Sequence, residues 1–472
     1  MRAFMFIAVF LLLDACAVGP RYAGPPAVAA QPGWVEGAAT TAVVGDPAWW
    51  RSLDDPVLSE LVEAALERNL DLRAAATQVR EARALRDAAF GARLPQVSVT
   101  GAANRNELSE NGELPIDRIP GFSRRFDLFD AGFDASWEID FWGRNARAVE
   151  AADARVASAI EARRNVEVQT TAEVVRTYVD LRSAQARLAS ATGDADARTQ
   201  SAALVSERHQ AGEASQSDAA RALAQASSTR SELAGLNAQV RAAAYALALL
   251  TARPPEALVD LAGKAAPLPA NLPVVGAGLR SELLRRRPDV RQAERELAAA
   301  TADVAVATAE LFPRVALMAS VGQQSLSTGS FLAGASTRYQ FGPSLSWPIF
   351  SAGSIRAQIR AAGARGDAAA ARYEKAVLTA LSDSETALNR YAAAGSQRRD
   401  QDAALSQTAR ALDLARERYA HGEDDLVALL ETQSEYSAAE QAALLARADE
   451  LTALASLYKA LGGGWDSTVS AR

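Results

Sequence analysis

From Phe129 to Phe141 the chain alternates without exception. Phe129, Ala131, Phe133, Ala135, Trp137, Ile139 and Phe141 are apolar, whereas Asp130, Gly132, Asp134, Ser136, Glu138 and Asp140 between them are small, polar or charged. A period of two marks a strand whose two faces meet different surroundings. The pattern recurs in Tyr339, Phe341, Pro343, Leu345, Trp347 and Ile349 against Gln340, Gly342, Ser344, Ser346 and Pro348. Val97 and Val99 after Leu94-Pro95, and Val315, Leu317, Ala319 and Val321 after Phe312-Pro313, predict a shorter partner strand for each. Such strands could form a half-buried sheet in water. They are also long enough to cross an outer membrane, which takes about 9 to 11 residues, with the carboxylates turned to water.

Most of the remaining chain reads as helix. No proline occurs from Gly121 to Arg253 or from Ile349 to Arg472, and both stretches are rich in Ala, Leu, Arg, Glu and Gln, all strong helix formers. Leu181, Leu188 and Ala195, then Leu223, Leu233, Leu236, Val240, Leu247 and Leu250, recur mostly at three, four or seven residue steps, as in helices packed side by side in a coiled coil. One helix from about Arg144 to Gln210 would reach roughly 100 Å.

The two halves repeat. Asp71-Leu72-Arg73 matches Asp289-Val290-Arg291, and Leu94-Pro95 matches Phe312-Pro313, at one offset; Trp137 matches Trp347, Gly143 matches Gly353, and Gly212-Glu213 matches Gly422-Glu423 at an offset eight residues shorter. The extra residues therefore fall in the loop after the first strand. The predicted architecture is mainly α with β, a duplicated helix-strand-strand-helix-helix body. Its expected divisions are 55–262 for the first repeat, 263–276 for a linker and 277–472 for the second repeat. Four strands cannot close a barrel, and an open edge in lipid would leave backbone groups without partners. Closure then needs other copies: three chains of four strands give the smallest wide barrel, and a dimer of eight strands is not excluded by this count.

Composition narrows the chemistry. The chain has 472 residues and a net charge of -7, so no phosphate-neutralising surface is implied and nucleic acid is not an expected partner. One Cys and two His are too few for structural zinc or for the usual nucleophile pairs, and no catalytic or metal-binding residues are assigned. The carboxylates Asp130, Asp134, Glu138 and Asp140, spaced along one strand face, suit a water-filled lumen better than an acid-base pair. The N-terminus carries a different message. Arg2 precedes an apolar run from Ala3 to Leu13, too short to span a bilayer, and the sole cysteine follows in Leu13-Asp14-Ala15-Cys16. This resembles a lipobox with a signal peptide over 1–15 and acylation of Cys16, although Asp14 is unusual there. A secreted protein whose signal merely contains Cys is the alternative. Residues 16–54, with Pro20, Pro25, Pro26, Pro32 and Pro47, read as an extended lipidated tether pinned by Trp49-Trp50.

The lipobox followed by Val18-Gly19-Pro20-Arg21-Tyr22, the duplicated body, the Leu-Pro and Phe-Pro strand starts, and Arg418-Tyr419-Ala420-His421-Gly422 before the last helix resemble the outer membrane factors. Within these, the chain looks like the NodT or OprM-like efflux lipoproteins, relatives of TolC. The resemblance implies a homotrimer, with an α-barrel tunnel continuous with a transmembrane β-barrel, in the outer membrane of a Gram-negative bacterium. It implies passive export of drugs or other small molecules, no enzyme activity, and no cofactor beyond the covalent lipid. A periplasmic adaptor and an inner-membrane pump, of the RND type, would be the partners, together with outer-membrane lipid. Carried over position by position, Gly212, Glu213, Gly422 and Glu423 form helix tips that contact the adaptor. Val427 and Glu431, the latter where relatives carry Asp, form the entrance constriction, with Asp424, Asp425 and Asp218 beside it. Both histidines, His209 and His421, lie at these turns. Asp424 or Asp425 also fits a helix N-cap. A lipid-anchored helical stalk or adhesin would share the helices but gives no reason for the alternating strand pairs.

Overall fold

The computed structural model describes residues 17–28, 33–35, 47–109, 123–273 and 280–463. The signal peptide and Cys16 lie outside the described residues, as do parts of the tether and linker. Along the chain, a short 3-10 turn at Trp49–Leu53 leads to α1 (Pro56–Arg68) and α2 (Leu70–Gly91), then β1 (Gln96–Glu107), β2 (Arg125–Ile139), α3 (Arg144–Gln210) and α4 (Gln216–Leu250). After a short α5 (Val259–Gly263) come α6 (Arg280–Arg286), α7 (Pro288–Ala309), β3 (Arg314–Ser325), β4 (Thr337–Ser346), α8 (Ser354–Ala420) and α9 (Leu426–Ala460). The order repeats in kind and in length: α2 and α7 have 22 residues, α3 and α8 have 67, and α4 and α9 have 35. The protein is thus mostly helical, with one small antiparallel sheet.

The chain divides into two units. The first, Met1–Ala27, Val79–Ser158 and Ala293–Tyr373, holds the sheet. Its strands follow sequence order, β1-β2-β3-β4, each antiparallel to the next. The register aligns Val99, Phe133, Val321 and Tyr339 in one row and Val97, Ala135, Ala319 and Phe341 in the next, so the odd-numbered residues share a face. At the loop end of that face apolar residues give way to charge, with Arg105 bonded to Asp127 at 2.8 Å and Arg125 to Glu107 at 2.9 Å. Gly132 and Gly322 face each other so closely that a Cβ on either would meet the facing strand's backbone, at 2.7 and 2.5 Å respectively.

Two strands stop short of the sequence pattern. β2 ends at Ile139, leaving Asp140 and Phe141 outside it, and β4 ends at Ser346, before Trp347-Pro348. Proline has no N–H for a ladder and restricts the residue before it, which accounts for the second case. In the first, the Asp140 side chain accepts a bond from the Ala146 N–H at 2.7 Å and so caps the start of α3.

The second unit, Val28–Gln78, Ala159–Gln292 and Glu374–Arg472, holds the main core. Trp49, Leu58, Val62, Val174, Tyr178, Leu181, Leu247, Leu451 and Leu454 are buried there, and Trp49 stacks on Tyr458 with ring centroids 4.4 Å apart. The helical stripe of α4 runs through Ala219, Ala222, Ala226, Thr229, Leu236, Val240, Ala244 and Leu247. Leu223, which the spacing placed on the packed face, is 53% exposed. Near the start of α4 alanine makes the contact, because small side chains let helices approach closely, and leucine takes over nearer the core.

Candidate functional site

Two helix reversals in the second unit carry the predicted tip and entrance residues. At the end of α3 the Gly212 N–H donates to the His209 carbonyl at 3.0 Å and the Glu213 N–H to the Arg208 carbonyl at 2.8 Å. At the end of α8 the Gly422 N–H donates to Tyr419 at 3.1 Å and the Glu423 N–H to Arg418 at 2.9 Å. Both are Schellman motifs, which need a left-handed residue, and Gly212 and Gly422 have φ of 79° and 75°. A Cβ at either would meet nothing within 4 Å, so glycine is required here by the backbone angle and not by crowding.

The next helices start with side-chain caps. Ser215 caps α4, its Oγ accepting from the Asp218 N–H at 3.1 Å and donating to Asp218 Oδ2 at 2.7 Å, so that Asp218 orients the cap. Asp425 caps α9, its Oδ1 accepting from the Ala428 N–H at 2.9 Å. Asp424 instead pairs with Arg418 at 2.8 Å, and Glu423 lies 3.7 Å from the same guanidinium. Val427 is half-buried and Glu431 exposed on the first two turns of α9. The Nδ1 of His209 lies 3.0 Å from the Ala214 carbonyl, within its own turn.

Sequence reasoning missed the link between the two reversals. Arg208 donates to the Tyr419 hydroxyl at 2.8 Å, and its guanidinium lies 5.7 Å from that ring's centroid. The repeat held the signal, since its offset sets Arg208-His209 level with Arg418-Tyr419. Behind the reversals the two helix seams differ in kind. Ala202 and Val205 of α3 pack on Ala219, Ala222 and Ala226 of α4 in an apolar seam. Between α3 and α9 the stretch from Arg187 to Arg198 is polar: Arg198 donates to Ser434 at 3.1 Å, Ser437 donates at 3.2 Å to Asp194, which Arg198 holds from the same helix at 2.8 Å, and Arg187 donates to Gln441 at 3.0 Å. A polar seam can trade its bonds for water far more cheaply than an apolar one can be exposed.

In the first unit the sheet presents one apolar and one polar face. On the odd face Val99, Phe133, Val321 and Tyr339 are all at least half exposed, at 72%, 58%, 50% and 83%. So large an uncovered apolar surface marks contact with a partner or a membrane. On the even face, Asp130 binds Arg338 at 2.6 Å, Glu138 binds Arg144 at 2.8 Å, and Asp134 accepts from the Thr100 hydroxyl at 2.8 Å. Asp140 is not among them, for the reason given above.

The described residues nearest Cys16 are held in place. The Val18 N–H donates to the Trp142 carbonyl at 3.1 Å, and Ala17 lies so close to Gly143 that a Cβ there would meet it at 2.7 Å. Gly19, with φ of 89°, lies against Ala305, and the Tyr22 hydroxyl donates to Glu294 at 3.2 Å. The segment after Cys16 is therefore docked beside the end of β2.

Comparison with known proteins agrees with this geometry. The sequence model of the family described as outer membrane efflux protein matches residues 61–253 and 279–463. The pyoverdine export outer membrane protein OpmQ of Pseudomonas aeruginosa is 35% identical over 99% of this chain and 98% of its own length. The toluene efflux pump outer membrane protein TtgI of Pseudomonas putida is 32% identical over 96% of this chain and 97% of its own. Among solved structures, the outer-membrane channel OprN superposes with a TM-score of 0.87 at 35% identity, covering 95% of this chain and all of that one. With both halves matched, the sheet two-faced and the helix reversals duplicated, the chain belongs to the outer membrane efflux protein family.

Proposed function

We propose that three copies of this chain form the outer-membrane exit duct of a tripartite efflux system. Each contributes four strands to a twelve-stranded transmembrane barrel, and the long helices of each join a periplasmic tunnel. One observation carries the reading: the sheet has an exposed apolar face, a polar face, and two edge strands, β1 and β4, without further partners among the described residues. An even number of antiparallel strands leaves these edges antiparallel to each other. The β4 edge of one copy can then pair with the β1 edge of the next and continue the up-and-down order until it closes, as a bilayer demands.

On this reading residues 55–262 and 277–472 are the two repeats of the tunnel, joined by 263–276, and 16–54 is the tether. Acylation of Cys16 holds the chain to the membrane at the place where Ala17 docks. Gly212, Glu213, Gly422 and Glu423 offer the reversals to a periplasmic adaptor, and an inner-membrane pump of the RND type supplies the energy. Val427 narrows the entrance and Glu431 rims it with charge, while Asp424, Asp425 and Asp218 add local field and Asp425 also caps α9. Opening would part the polar stretch of the α3–α9 seam and the Arg208–Tyr419 bond while the apolar α3–α4 seam holds. The chain performs no catalysis. Its cargo is the class its relatives' names suggest, small molecules such as a siderophore or an aromatic solvent, selected by the pump.

The test is electron microscopy of protein extracted from outer membranes in detergent. A threefold hollow particle is the expected image. Compact monomers or a solid rod from folded protein would overturn the duct.

A further inference from the structure

The register sets the even-numbered strand residues side by side on the polar face, and its charged members are Asp130, Asp134, Glu138, Arg314 and Arg338. Four of the five are neutralised within the chain. Arg338 grips Asp130 with two bonds, Nε to Oδ2 at 2.9 Å and Nη2 to Oδ1 at 2.6 Å, while Gln324 takes a third contact with that carboxylate at 2.9 Å. Glu138 is held by Arg144 through Nε at 3.1 Å and Nη2 at 2.8 Å. Arg314 pairs with Glu310 in the turn that follows α7. Among the described residues Asp134 receives only the Thr100 hydroxyl, which satisfies an oxygen but cancels no charge.

The same residue lines a concavity of about 780 Å³ on this face. Ser98, Asp134, Ser136, Ser320 and Gln340 bring polar groups to it from all four strands, and among the described residues Asp134 is the only charged side chain in its lining. Arg338, the nearest cation in the adjoining row, is already committed to Asp130, so Asp130, Asp134 and Arg338 together leave one negative charge.

We propose that Asp134 is the charge-selecting residue of this face, favouring cations over anions along the barrel section of the duct. This rests on the reading that the polar face lines the lumen. A fixed carboxylate among neutral hydrogen-bonding groups raises the local concentration of cations and depletes anions, and rings of like charge from symmetry-related copies act together. Screening shortens its reach to about 8 Å at physiological salt and extends it to about 30 Å at 0.01 M, so the selectivity is strongest at low ionic strength.

The experiment uses the full chain in planar lipid bilayers under a KCl gradient at low salt, with Asp134→Cys as the probe. Wild type, whose sole cysteine is Cys16, controls for the reagents. The uncharged cysteine is expected to lower the cation-to-anion permeability ratio by about twofold or more. An anionic thiosulfonate reagent should restore the ratio, and a trimethylammonium reagent should carry it past the unmodified value towards anions. Asp134→Asn, which keeps the acceptor for Thr100, should show the same loss. Arg338→Gln should shift the ratio the other way by freeing Asp130. A cysteine that reacts in a conducting channel without moving the reversal potential overturns the proposal and leaves the lumenal face standing. A cysteine that fails to react in a channel of normal conductance overturns the lumenal reading, and the proposal with it.

Discussion

Ala252 and Gly462 do the same task with different residues. Each sits at the left-handed position after a long helix: the Ala252 N–H donates to Leu249 at 3.0 Å and the Arg253 N–H to Ala248 at 2.8 Å, while the Gly462 N–H donates to Lys459 at 3.1 Å and the Gly463 N–H to Tyr458 at 2.8 Å. Alanine at φ of 51° bears a Cβ clash that glycine avoids. Ala252→Gly should therefore raise stability by about 0.5–1 kcal/mol, seen as a higher denaturation midpoint, and Gly462→Ala should lower it. Tyr178 is a second case where the residue type hides the role. Its hydroxyl donates to Asp55, whose other oxygen caps α1 by accepting from the Val57 N–H at 2.9 Å, and itself accepts from Arg182 Nε at 3.0 Å. Tyr178→Phe should cost about 1–3 kcal/mol by taking this partner from the half-buried Asp55 Oδ2 and the buried Arg182 Nε. Burial first, then the bond to Asp55, push the phenol above its usual range. A raised folded-state value means a contribution that is complete below the unfolded value, about 10, and is lost as pH rises through the folded one. Alkaline titration of unfolding should thus show a shallower decline above about pH 10 for the Phe variant.

At the scale of elements, helix seams were legible as periods but not as partners. The leucine spacing in α4 pointed to Leu223, yet Ala222 is the buried neighbour, at 3% exposure. Ala222→Leu should overpack the α3–α4 seam and destabilise by about 1–3 kcal/mol, whereas Leu223→Ala should be near neutral in the same unfolding assay. The alanines could not declare themselves in the sequence, because alanine is also the default residue of any exposed helix. Strand ends behaved likewise. Alternation continued through Phe141 and Ile349, but the ladder stops where a helix cap or a proline claims the backbone.

For the whole molecule, the two faces of the sheet make opposite demands. Phe133 lies on the apolar face and Ser320 on the polar one, both mid-strand. If lipid meets the first, Phe133→Lys should cost about 2–4 kcal/mol per chain near the bilayer midplane and deplete the protein from the outer-membrane fraction. Ser320→Lys should insert normally; equal insertion of the two variants would contradict the facing. At the proposed entrance, Val427→Ala with Glu431→Ala should raise single-channel conductance of the assembled protein. Unchanged conductance would move the constriction away from α9.

What the sequence determined alone was which elements form and in what order. The two-residue period announced the strands, the absence of proline announced α3 and α8, and the comparison of the two halves set the extra residues between β1 and β2, because each signal is carried by the order of residue types alone. Tertiary structure decided which charges remain uncovered. Asp130, Asp134, Glu138 and Asp140 look alike along β2, but Asp130 meets Arg338 from β4, Glu138 meets Arg144 from α3, and Asp140 leaves the strand to cap a helix. The Arg208–Tyr419 bond likewise joins residues 211 positions apart. Strand register and the docking of a helix against a strand end choose such partners, and neither follows from local preference, since the energy of a pair depends on a geometry that exists only once the elements have packed.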